Sequence, residues 1–94
     1  MPIFWREFGY NVFIWPNENN EPLHFHITEG LYNENCTKFW VDSNGAIILC
    51  HNKSRYKVKD LHKFYSKSED KAFFQMLITE WADRGFELKY VDQI

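Results

Sequence analysis

Ninety-four residues, 45% of them hydrophobic, bound the chain to one small domain with room for a single core. A formal net charge of −2, with no long Lys/Arg run, excludes general binding to a nucleic-acid backbone. No apolar stretch approaches the roughly 20 residues needed to span a bilayer, so no membrane partner is expected.

Residues 1–9 read as an aromatic, charged entry segment closed by Gly9. Tyr10–Trp15 is rich in β-branched and aromatic residues and reads as a strand, stopped by Pro16-Asn17. The polar, Asn-rich stretch Pro16–Pro22 suits a hairpin into a second strand, Leu23–Thr28, which Glu29-Gly30 breaks. Residues 31–36 read as a loop or a short irregular edge. A third strand, Thr37–Val41, leads to Asp42-Ser43-Asn44-Gly45. Asn-Gly between apolar alternations is a strong hairpin signal, since both residues tolerate positive φ. Ala46–His51 is the fourth strand, and its apolar character on both faces points to a central place in the sheet or to cover on each side.

After Asn52 the period changes. Val58, Leu61, Phe64 and Tyr65 lie at helical spacing and predict a helix of two or three turns. Ser66-Lys67-Ser68-Glu69 matches the capping-box pattern and is expected to open a second helix, with Phe73, Phe74, Leu77, Ile78 and Trp81 as its buried stripe. Gly85 is placed to end it. Phe86–Val91 alternates again, as a final strand or an extended tail. About four strands followed by two helices predict an α+β domain: a small antiparallel sheet with the helices packed on one face.

Cys36 and Cys50 stand in no CxxC spacing and read as thiols of a cytoplasmic protein. Met1–Glu7 lacks the basic start and apolar run of a signal peptide. The aromatic share of 19% is high, and eighteen rings (nine Phe, five Tyr, four Trp) exceed what so small a core easily encloses. Phe4, Trp5 and Phe8 at one end, and Phe86, Leu88 and Tyr90 at the other, are therefore expected to form an apolar patch that a homodimer would bury, through the termini or an open strand edge.

The chemistry concentrates in Glu18-Asn19-Asn20-Glu21-Pro22-Leu23-His24-Phe25-His26-Ile27. Leu23, Phe25 and Ile27 form a core-facing set, so His24 and His26 project together from the opposite side of the strand. They are expected to be displayed there, at surface-leaning positions where replacing both with Ala costs no more than about 1–2 kcal/mol. Alternation in the neighbouring strands pairs Lys38 with Trp40, and Phe13 with Trp15. Two imidazoles, an ammonium and indoles on one face suit a nucleotide-like ligand. They equally suit a protein interface anchored by Trp, or plain core if the helices cover that face.

Met1-Pro2, Gly9, Asn20-Glu21-Pro22, His24, His26, Ile27, Lys38-Phe39-Trp40, Asn52 and Trp81 together resemble the bacterial family known as domain of unknown function 4160. The likeness spans nearly the whole chain, and its Glu-Pro-x-His-x-His core is fairly specific. Leu23 stands where the family has a second proline, and the Tyr32–Cys36 and Ser43–Cys50 stretches are longer than usual. The resemblance implies a small bacterial, phage or mobile-element protein, often beside another small gene in toxin–antitoxin or defence style. It implies no reaction.

A metal on His24 and His26 would need a third ligand, from Glu21, Glu18, His51 or His62. Zinc sites more often recruit thiolates, and neither cysteine is near in sequence, so no metal or other cofactor is expected. No nucleophile elbow and no Gly-rich phosphate loop is present. The basic stretch 53–59 leads into a helix and is the best secondary place for an anion, with Arg55 in it. The sequence thus points to a non-enzymatic binding module. It would capture a nucleotide-like molecule or a partner protein with His24, His26, Lys38, Trp40, Glu21 and Arg55. The competing reading is a metal-dependent or His-based hydrolase, such as a toxin nuclease.

Overall fold

The structure, a computed structural model, describes residues 3–15, 20–30 and 36–93. Five strands come first: β1 (Ile3–Glu7), β2 (Tyr10–Phe13), β3 (His24–Thr28), β4 (Thr37–Val41) and β5 (Ile47–His51). They form one antiparallel sheet in the order β1-β2-β3-β4-β5. Helices α1 (Val58–Tyr65) and α2 (Lys71–Asp83) follow, joined by a 3₁₀ turn at Ser66–Glu69. Both helices pack on the face that carries Tyr10, Val12, Ile14, Leu23, Phe25, Ile27, Phe39 and Val41. Phe25 meets Phe64 and Phe73 there at 6.3 and 5.2 Å between ring centroids. Leu61, Phe64, Phe73, Leu77 and Trp81 are the helices' buried contribution, and Phe74 and Ile78 lie at the margin of the stripe.

The α+β class is as the sequence indicates, with one strand more. The entry segment supplies it, because Phe8 and Gly9 both adopt positive φ (54° and 83°), the left-handed pair that a tight two-residue hairpin requires. A phenylalanine is strained in that conformation. Its ring is nevertheless held edge-on against Phe64, at 5.2 Å. In the β4–β5 turn only Gly45 takes positive φ. Its N–H donates to the Asp42 carbonyl (2.9 Å), and the Asp42 N–H donates to Ala46 (3.0 Å). The Asp42 carboxylate accepts the Asn44 and Ala46 N–H groups, so one side chain organises the turn.

Three expectations are corrected. β5 is an edge strand, not a central one. Its backbone is partly closed off instead, since the Ile47 N–H donates to Ser68 Oγ (2.9 Å) and the β4–β5 register shifts between Lys38 and Phe39. The capping box does not form. Ser66 turns back to donate to the Lys63 carbonyl (2.6 Å), and Asp70 is the N-cap of α2, its carboxylate accepting the Phe73 N–H (3.0 Å). Most of the terminal rings are not left in water either: Phe4, Trp5, Phe86 and Tyr90 pack against the core of their own chain, and only Phe8 and Leu88 of the expected patch stay exposed.

Gly85 (φ 74°) ends α2, and the chain then runs without strand pairing to a short 3₁₀ turn at Val91–Gln93. Two of its ties reach the strands and their turns. The Lys89 carbonyl accepts the Leu23 N–H (2.8 Å), and the Asp92 carboxylate accepts the Ser43 hydroxyl and N–H (2.6 and 3.0 Å). The first stretch of the Pro16–Pro22 turn, and the loop at 31–35, lie outside the described residues.

Candidate functional site

The sheet face opposite the helices brings five of the six candidate residues together. Register places His24 across from Trp40 and His26 across from Lys38, with Phe13 next to His26 on β2. The two imidazoles lie edge to face at 5.2 Å. The His24 ring also meets Trp40 at 5.7 Å, and His26 stacks on Phe13 at 5.5 Å with Trp15 at 6.3 Å. Lys38 Nζ sits 4.4 Å above the Trp40 ring and forms an ion pair with Glu21.

The imidazoles are not displayed, contrary to the sequence expectation. His24 is 0% exposed and His26 5%. The physical reason is tertiary. Trp81, at the end of α2, brings its indole to 5.2 Å from the His24 ring while its Nε1–H donates to the Glu87 carbonyl (3.0 Å). The C-terminal segment that holds Trp81 in place thus helps close the Leu23 end of β3. A carbonyl can only accept, so His24 Nδ1 carries the proton in its bond to Pro22 O (2.8 Å), and His26 Nδ1 does the same towards Cys36 O (3.4 Å).

What the cluster offers at its surface is its margin. Trp40 and Glu21 are half-buried, and Ile48, opposite Trp40 on β5, is 42% exposed. Phe13 and Trp15 belong to the group by strand alternation. Trp81 does not: it belongs to the buried stripe of α2, and the packing of that helix brings its indole to the His24 ring.

Arg55 is not part of this cluster. It lies in the β5–α1 loop and lines a separate cavity with Tyr10, Glu29, Tyr56, Lys57 and Asp60. Of the proposed third metal ligands, His62 sits on α1 beside Tyr65, and His51 Nδ1 accepts the Lys53 N–H (3.3 Å); Glu18 lies outside the described residues. Among the described residues, no group of three or more His, Cys, Asp or Glu is placed to hold a metal ion. No described helix is long and apolar enough to cross a membrane.

Elsewhere, charge is used to join elements. Lys67 Nζ bridges Glu7 (3.0 Å) and Asp70 (2.8 Å), linking the β1–β2 hairpin to the start of α2. The Trp5 Nε1–H bond to Glu7 (2.8 Å), assisted by Lys67, holds the Glu7 carboxyl below its ordinary pKa. Burial opposes the charge on Lys67, yet its bonds to Asp70 and Glu7 outweigh that and raise its pKa. Burial, together with the bond to Asp60, pushes the Tyr10 phenol well above its usual range.

No family model, curated protein or solved structure matches the chain.

Proposed function

We propose that the protein is a non-enzymatic binding module that engages another protein through the Trp40 margin of this face. One observation carries the reading: a half-buried indole rests on the buried His24 ring, beside exposed Ile48, with the Lys38–Glu21 ion pair at its rim. An aromatic anchor with an apolar neighbour and a charged rim is the composition of an interface hot spot. Cys36 and Cys50 stand outside any disulfide, which suits a reducing cytoplasm. The small neighbouring genes implied by the resemblance to the domain of unknown function 4160 also suit a protein partner.

Capture of a nucleotide-like molecule on the same face is the second reading, favoured by the stacked cation and indole. It asks more of the site. A phosphate would have to displace Glu21 from Lys38, and a base would have to displace Lys38 from the Trp40 ring. A hydrolase asks more still, because both imidazoles lie beneath other side chains.

The test is native mass spectrometry of the tagged protein purified from cells without added ligand or metal. A protein complex, hetero-oligomeric or a homodimer, is expected to persist in the wild type and in Tyr65→Ala, and to be lost in folded Trp40→Ala. A complex indifferent to Trp40→Ala sinks the proposal. A co-purifying nucleotide would replace it with the second reading, and stoichiometric zinc or manganese with the hydrolase.

A further inference from the structure

Asn52 follows β5 and acts as a clamp on the loop after it. Its carboxamide oxygen accepts the Thr37 hydroxyl (2.8 Å) and the Tyr56 N–H (3.0 Å), and its amide donates to the Tyr56 carbonyl (2.9 Å). The Arg55 N–H donates to the Asn52 carbonyl (3.0 Å), and Ser54 Oγ accepts the Thr37 N–H (3.2 Å). The loop is therefore held to the end of the sheet at several points. Within it Arg55 adopts φ 57°, a conformation that costs an arginine and would cost a glycine little. The side chain is presented at a cavity of about 320 Å³.

The rings of Tyr10 and Tyr56, 4.9 Å apart and inclined at 63°, form the aromatic part of its lining. The Tyr56 oxygen accepts the Glu29 N–H (3.0 Å), which leaves its own proton to be donated. The charges decide the sign of the ligand. Asp60 is committed on both oxygens, accepting from Tyr10 Oη at 2.9 Å and facing Lys63 Nζ at 3.7 Å. Glu29 is the only other carboxylate of the lining, set against Arg55 and Lys57, with Lys53 and Lys59 adjacent in sequence. Among the described residues none of these four cations forms an ion pair.

We infer that this cavity binds a phosphate monoester: Arg55 and Lys57 hold the phosphate, the Tyr56 hydroxyl donates to it, and the tyrosine rings face the organic remainder. A guanidinium fork with an ammonium suits a dianion whose oxygens point in several directions. The site is independent of the Trp40 margin, so either can fail alone.

Amide chemical-shift titration of the ¹⁵N-labelled full chain, with inorganic phosphate and with phenyl phosphate at pH 7, tests it. Saturable shifts confined to Tyr10, Glu29 and residues 53–60 are expected, with phenyl phosphate binding several-fold tighter. Arg55→Gly removes the guanidinium while relieving the backbone, and is expected to weaken binding at least tenfold while melting no lower than wild type. Trp40→Ala should bind as wild type does. Shifts that rise without saturation across all the lysines, or an Arg55→Gly affinity equal to wild type, would overturn the inference.

Discussion

His24 is where the structure changes the expected cost of a mutation most. On display, its replacement by Ala would cost only a few tenths of a kcal/mol. In place, its ring is enclosed by His26, Trp40 and Trp81, and Nδ1 donates to Pro22 O at 2.8 Å. His24→Ala removes roughly 65 Å³ of ring, and at about 24 cal/mol per Å³ an uncollapsed cavity of that size costs about 1.5 kcal/mol. The lost hydrogen bond adds about 1 kcal/mol. The expected destabilisation is therefore about 2.5 kcal/mol, more than both histidines together were expected to cost from the sequence. Urea unfolding followed by far-UV circular dichroism measures it as a lower midpoint at unchanged m-value. A double-mutant cycle with Trp81→Phe should return a coupling of about 0.5–1.5 kcal/mol, the range for an edge-to-face ring pair. A loss below about 0.5 kcal/mol with no coupling would refute the reasoning, and would return the imidazole to the surface as a direct ligand group.

Three further outcomes follow from other parts of the chain. Glu7 and Asp70 have folded pKa values below their ordinary 4.5 and 3.8, so the stability they contribute is present above those values and lost as pH falls through the lowered ones. Melting temperature should therefore drop as pH falls below 4.5, and Lys67→Met should flatten that drop; an unchanged acid limb would show the bridge to be idle. Gly45→Ala should cost about 1 kcal/mol or somewhat more, from its φ of 83° rather than from crowding, because an added Cβ meets Phe74 at an ordinary 3.5 Å; thermal melting within error of wild type would contradict this. A thiol reagent should label exposed Cys50 at once in the native protein and buried Cys36 only on unfolding, giving two thiols without reductant; a count of zero would overturn the reduced state.

Much of this architecture is local in origin and legible without coordinates. Alternation in Leu23–Ile27 and Thr37–Val41 assigned each side chain to its face, because a strand has a side-chain period of two whatever surrounds it. That put His24 with His26, and Lys38 with Trp40, and antiparallel pairing then set the two couples side by side. Helix α1, the stripe of α2 and the stop at Gly85 were readable for the same reason, since 3.6-residue spacing and a left-handed cap are properties of the segment itself. β1 was missed because its hairpin turns on Phe8, a residue that rarely accepts positive φ. The capping box misled because Asp70, one residue past the motif, caps the helix while the serines bond elsewhere.

Burial is what only the tertiary structure decided. Period tells which face a residue is on, but not what lies over that face or whether a strand has neighbours on one side or two. β5 carries the apolar run of a central strand and yet sits at the edge, with Ile48 and Cys50 exposed. His24 alternates like a display residue and yet is enclosed, because Trp81 comes to the sheet's end from more than fifty positions further along the chain, its indole N–H held by the Glu87 carbonyl. Contacts over such a distance depend on the path of the intervening chain, which no local pattern around either residue encodes.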